Sequence, residues 1–256
     1  MTASPLGLPA LAARAADQPA LTVVGGDGTR VELSGATLGN GIAKNGNLLG
    51  DGLAADRVLV ALPAGWPQVT LALACLAAGV TGVLPGRDSD AAAAADGADA
   101  AFVPAVPADA DGAAGLTGVL AAVPEVYGVS QHPLGLPPGS LAAGLLDHAR
   151  EVAVFGDRLA PAAQSGRLEA DGVAAGPAEL AAAGTAAGVT PADRVLVLAD
   201  PAGGPAAATD CLLARVLPAL AAGAAVVLVV PAEGGGGDPA LLAEQVARQE
   251  ATTRRL

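Results

Sequence analysis

Phosphate cradles, nucleophile elbows, metal clusters and acid–base pairs each need particular residues at particular spacing, and this sequence holds few of them. Four glycines at 234–237 follow an apolar run and precede an expected helix, the place where a phosphate-binding loop sits. They carry no lysine, and Pro239 breaks the Gly-x-Gly-x-x-Gly spacing, so the stretch reads as a connector. Gly25-Gly26-Asp27-Gly28 reads as a hairpin turn. No Gly-x-Ser-x-Gly elbow lifts a serine into a nucleophile's position. The two histidines, His132 and His148, lack the clustered Cys, Asp or Glu that a metal would need. Asp147, His148 and Arg150 read as an exposed polar group near a helix end. Cys75 and Cys211 sit inside apolar runs and read as core thiols, not as a redox pair. The carboxylates are scattered. No catalytic residue and no metal ligand is assigned on these grounds, and cofactor-binding residues stay unassigned.

Composition and charge narrow the partners. Half of the 256 residues are hydrophobic and 15% are charged, a balance that builds a core and rules out a disordered chain. The aromatics are Trp66, Phe102, Tyr127 and Phe155, so that core must be made of Ala, Val and Leu. Twenty-five acidic residues against thirteen basic ones give a net charge of −12. This disfavours nucleic acid and anionic membrane surfaces, both of which call for clustered Lys and Arg. One of the thirteen basic residues is a lysine, Lys44. The N-terminus lacks a basic start followed by an apolar segment, so no secretory signal is expected. Residues 212–230 contain Arg215 and Pro218, and residues 69–84 are broken by Gly79 and Gly82. Each stretch reads as a buried helix running into a buried strand and not as a membrane span, which predicts a soluble, cytoplasmic protein.

The elements that must position these residues follow from periodicity and turn signals. Helices are expected over 8–16, 34–53 with Ser34 as N-cap, 66–78 stopped by Gly79, 88–96, 177–187, 206–222 and 239–250 behind an Asp238 cap. Strands are expected at 20–24, 30–33, 57–62, 81–84, 100–103, 125–130, 152–155, 194–198 and 224–230, with loops over 104–115 and 160–176. Alternating strands and helices predict an α/β fold: a mainly parallel sheet with helices on both faces, built from βαβ units, in one domain over 1–256. Residues 55–84 and 192–229 share Ala-Asp-Arg-Val-Leu-Val, a Pro-Ala-Gly turn, a Cys-bearing helix, an Ala-Gly stop and a Val-rich strand. That repetition predicts two pseudo-symmetric halves of one sheet.

With these units placed, a family resemblance follows. The run TRVELSGATLGNGIAKNGNLL, then ADRVLVALPAGWPQVTLALACLAAGVTGVLPG, resembles the N-terminal part of the adenylate-forming enzymes, which include acyl-CoA synthetases, luciferases and peptide-synthetase adenylation domains. In that family a dG-x-x-(S/T)-Y-x-E-L hairpin and helix lead to GDRVAV and then to a helix ending LKAGAxYVP. The counterparts here are 34–38, 55–60 and 76–85. Residues 188–229 resemble the family stretch gltpxDrvLxxxPxxHxxg…LxxGaxvvl that follows its phosphate loop, so the likeness spans about residues 20–230. The resemblance implies an ATP loop, YTSGTTGxPKG, between 152–155 and the helix from 177. FGDRLAPAAQSGRLEADGVAAGPAEL stands there instead, and only Ser165-Gly166 matches. The donors that would cradle a triphosphate are missing from it. The family's later pieces (an aromatic-Gly-x-Thr-Glu segment, a ribose-binding Asp, a C-terminal lid with a catalytic Lys) do not occur before Leu256, and Lys44 lies on a helix with no catalytic role in the family.

The expectation is therefore a truncated, degenerate relative of the adenylate-forming enzymes, without a lid domain and without enzymatic activity alone. No cofactor is expected, ATP or AMP binding being unsupported by the motifs. Such a chain would act by binding, as a regulatory or partner protein, a homodimer or a holder of a small ligand. One alternative is half of a split acyl-adenylating ligase needing a second subunit; another is a structural or interaction module.

Overall fold

A computed structural model describes residues 17–87, 91–108, 115–160, 162, 166–200, 203–232 and 238–256. The expected helix 8–16, the glycine run 234–237, Ser165 and residues 88–90 of the helix expected over 88–96 lie outside the described residues.

Strand β1 (Pro19–Gly25) turns at Gly28, whose φ is +86°, and returns antiparallel as β2 (Arg30–Ser34). Ser34 Oγ accepts from Thr37 N at 3.2 Å and so starts helix α1 (Gly35–Asn47), which runs on through a π-helical segment, Leu48–Gly52. Strand β3 (Arg57–Val60), helix α2 (Trp66–Ala78) and β4 (Thr81–Val83) form the first βαβ unit, and Gly79 at φ +81° closes the helix. Next come α3 (Ala91–Ala94), β5 (Ala100–Pro104), α4 (Thr117–Ala122), β6 (Glu125–Val129), β7 (Leu145–Asp147) and α5 (His148–Ala153). A hairpin of β8 (Arg167–Ala170) and β9 (Val173–Ala175) leads into α6 (Pro177–Ala186). The second βαβ unit is β10 (Arg194–Leu198), α7 and β11 (Ala225–Val230). Helix α7 comprises Gly204–Cys211, a π-helical Leu212–Val216 and Leu217–Ala221. Helix α8 (Pro239–Gln249), capped by Asp238, and the two-residue β12 (Arg254–Arg255) complete the described chain.

The α/β class with mainly parallel strands holds, but the strands form two sheets. A five-stranded sheet has the order β12–β10–β11–β1–β2 and a seven-stranded one β7–β6–β5–β3–β4–β8–β9. All neighbours are parallel except β1/β2 and β8/β9. The two repeated units thus stand in different sheets, not in halves of one. The reason lies in their helices. Every residue of α2 from Pro67 to Ala77 is buried, as are all of Leu217–Ala221 in α7. A helix apolar all round must be covered all round, and a single sheet covers only one side.

Side-chain alternation sorts the layers. Val58, Val60, Phe102 and Tyr127 of the seven-stranded sheet join Val195, Val197, Val226 and Leu228 of the other in one central core with α1, α2, α6 and α7. Leu59, Ala101, Val103 and Val126 face outward onto α3 and α4. Leu196, Val227 and Val229 face Ala243 and Val246 of α8. The order is helix, sheet, helix, sheet, helix.

Two further expectations are corrected. Residues 152–155, read as a strand, are the last turn of α5 and the bend after it, because Asp147 accepts from Ala149 N and Arg150 N and starts a helix. Residues 160–176, read as a loop, include the β8–β9 hairpin. α4, β7 and β12 were not foreseen. Among the described residues no helix is long and apolar enough to cross a membrane.

Candidate functional site

The glycine-rich turn at 25–28 is used up by its own hairpin. Gly25 N donates to Thr29 O, Gly26 N to Val230 O and Gly28 N to Gly25 O, while Asp27 Oδ1 accepts from Thr29 N. No fan of amides is left there for a phosphate. Gly166, the described half of the Ser165-Gly166 match, donates to Leu76 O at 2.9 Å. A Cβ at this position would overlap the carbonyl oxygens of Cys75 and Val80, so Gly166 lets β8 approach the end of α2. Cys75 and Cys211 are free, buried thiols; burial pushes Cys75 up to about 12 and raises Cys211, which leaves neither a thiolate. Among the described residues no group of three or more His, Cys, Asp or Glu could hold a metal ion. Lys44 Nζ donates to Phe155 O at 2.6 Å and to Ala153 O at 3.4 Å, capping the end of α5.

The structure corrects the reading of His148. It lines a cavity of about 480 Å³ between β2, α1, the start of α2, the end of β6 and α5, and is only 9% exposed. Its Nε2 lies 2.7 Å from Asn45 Oδ1. Asn45 Nδ2 donates to Gly41 O at 2.8 Å, which turns Oδ1 toward the ring and assigns the imidazole proton to Nε2. The ring edge meets Phe102 at 5.7 Å, and Phe102 stacks on Tyr127 at 5.2 Å. Burial pushes the imidazole down to about 4 against the weaker opposing charge of Asp147, so the ring is neutral at neutral pH. Asp147 itself pairs with Arg150 at 3.0 Å. Trp66, Thr70, Leu71, Ser130 and Val152 continue the cavity wall. The cavity reaches the carboxyl end of β6, two strands from β3 in the sheet order. The sequence signal was a polar residue on an apolar face: Leu38, Ile42, Asn45 and Leu49 share the inward side of α1.

A second place concerns the expected ATP loop. Asp171 and Gly172, at φ +48° and +74°, close β8 onto β9 as a two-residue turn immediately before β9 and α6. Asp171 Oδ2 accepts from Arg87 N at 2.9 Å, and the Arg87 guanidinium pairs with Asp210. A cavity of about 560 Å³ beside them is lined by Asp200, Asp210 and Arg215 as well as Arg87.

The TIGR03089 family protein of Mycobacterium tuberculosis (strain ATCC 25618 / H37Rv) is 37% identical to the chain over 230 residues, 88% of this chain and 86% of the relative. The chain belongs to the TIGR03089 family. No protein-family model matches it. Among solved structures, this TIGR03089 chain is similar to an acyl-CoA synthetase of Brucella canis, with a TM-score of 0.74 and 19% identity over the whole chain. It is also similar to the amide bond synthetase McbA of Marinactinospora thermotolerans, with a TM-score of 0.63, 17% identity and 98% of the chain covered. ATP-bound MatB of Rhodopseudomonas palustris gives a TM-score of 0.60 at 14% identity over 95% of the chain. The chain spans 48% of the length of each of these three. At such identities the likeness shows the fold, and the fold is the one that the sequence resemblance implied.

Proposed function

We propose that this chain is a single-domain, cytoplasmic binding protein built on the adenylate-forming fold, and that it does not itself make acyl adenylates. The observation that carries the reading is the Asp171–Gly172 turn. A loop of successive amides and a lysine is what holds a triphosphate; here residues 167–175, directly ahead of α6, form a tight hairpin whose turn residue Asp171 is an acceptor for Arg87 N. The surroundings agree. Among the described residues Asp200 and Asp210 line the cavity with Arg87 and Arg215, Asp171 adjoins Arg87, and the Arg87 guanidinium is engaged by Asp210. A polyphosphate approaching this cluster meets more negative charge than positive. The binding partner is a small ligand or a protein, a second copy included.

The test is ATP–pyrophosphate exchange with a panel of carboxylic acids, run beside thermal unfolding in millimolar Mg-ATP. The expected outcome is exchange at background and an unchanged melting temperature. A ligand at a hundred times its dissociation constant adds about 2.7 kcal/mol and would be seen. Exchange above background with any acid overturns the reading.

A further inference from the structure

We infer that the cavity between α1, α2 and α5 is a binding site for an uncharged, largely apolar small molecule that gives a hydroxyl or N–H hydrogen bond to His148 Nδ1. The inference rests on the binding reading above and names its ligand class. Volume comes first: about 480 Å³ is within the range of small-molecule pockets. Much of the wall is Trp66, Leu71, Val129 and Val152, which suits an apolar body. His148 is nine-tenths buried, and its Nε2 is spent on Asn45. With the proton on Nε2, its Nδ1 is an acceptor that has no partner among the described residues and stays accessible from the cavity. A ligand donor can take that bond in place of water. Ser130 Oγ accepts from His132 N at 3.2 Å and keeps its own proton for an acceptor on the same molecule.

Charge argues against an ionised ligand. Arg30 at the rim is bridged to Glu32 and Glu250, and Lys44 is held by two carbonyl oxygens. An ammonium finds no unpaired carboxylate among the described lining residues, and a carboxylate finds only Lys44, two of whose three N–H groups are already spent, to repay its desolvation, whereas an uncharged molecule incurs little of that cost.

Trp66 lines the cavity and is the chain's single tryptophan, so its fluorescence reports occupancy. The probes are 4-tert-butylcyclohexanol and its methyl ether, which differ in the hydroxyl donor. The expected result is a saturable change with the alcohol and binding at least about tenfold weaker for the ether, the worth of one hydrogen bond to a buried acceptor. His148→Phe should remove the preference for the alcohol, and Ala149→Phe, on the cavity wall, should abolish saturation. If the His148 variant does not fold, the ether comparison in the unaltered chain and the Ala149 variant still decide. A linear response, equal binding of alcohol and ether, or saturation that survives Ala149→Phe overturns the site. A chain that exchanges pyrophosphate yet passes this titration loses the function proposed above and keeps the site. A chain silent in both assays loses the site alone.

Discussion

Because burial holds the His148 ring neutral down to about pH 4, and an imidazole in the unfolded chain takes its proton near 6.5, the two states bind protons unequally between those values. In that window the unfolded chain holds the extra proton. Stability is therefore present in full above about pH 6.5 and falls as the pH drops toward 4. Two and a half pH units correspond to about 3 kcal/mol at 1.36 kcal/mol per unit. Urea midpoints at pH 7 and pH 4.5 should fall further for the unaltered chain than for His148→Gln, and a native His148 resonance titrating near 6.5 would sink this. The type of residue was legible in the sequence; its burial was not. Asp147-His148-Ala149-Arg150 looks solvated because two of its four side chains are charged. Only the third dimension sets Asn45, 103 positions away, against the ring.

At the scale of elements, patterns that decide themselves locally were readable. The Ser34 cap, the Gly79 stop and the Val-rich runs of β3, β10 and β11 depend on neighbours in sequence, and each stands where the periodicity puts it. Residues 152–155 show the opposite case, since a four-residue apolar run suits a strand and a helix end alike, and here Val154 is exposed. The β8–β9 hairpin was hidden by length. Strands of four and three residues give too little alternation to register, although Asp171-Gly172 is the dipeptide that a two-residue hairpin turn prefers. Both residues have positive φ. Gly172→Ala places a Cβ in that left-handed conformation and should cost about 1–2 kcal/mol. A urea midpoint unchanged in Gly172→Ala would mean that the turn re-forms in another geometry, and the tight-hairpin account of the missing phosphate loop would weaken with it.

For the whole molecule, the sequence specified which strands are neighbours within each βαβ unit but not which sheet a unit joins, since helix burial on every side is a property of the assembled layers. One carboxylate now shows how distant parts are tied. Glu250, just after α8, accepts from Arg30 Nε of β2 and from Arg194 Nη2 of β10, each at 2.6 Å. Arg194 Nη2 also donates to Thr22 Oγ1 of β1 at 3.2 Å. Three strands of the five-stranded sheet and the end of α8 thus meet at a side chain only 11% exposed. The Arg30 guanidinium, and after it Arg194, hold the Glu250 carboxyl below its ordinary range. Glu250→Gln keeps the shape, removes the charge and leaves Arg194, 20% exposed, with Glu32 at 4.0 Å as its remaining carboxylate. Hydrogen bonds to charged groups contribute about 1.5–3 kcal/mol, so the variant should lose about 2 kcal/mol. Glu32→Gln, at a carboxylate 36% exposed, should lose under about 1 kcal/mol, as surface pairs do. Equal urea midpoints for the two variants would show that α8 is held by its apolar contacts, Leu242, Ala243, Val246 and Ala247, and not by the charge of Glu250. A larger loss for Glu250→Gln, with weaker probe binding at Trp66, would show that this carboxylate also holds β2 as the wall of the cavity.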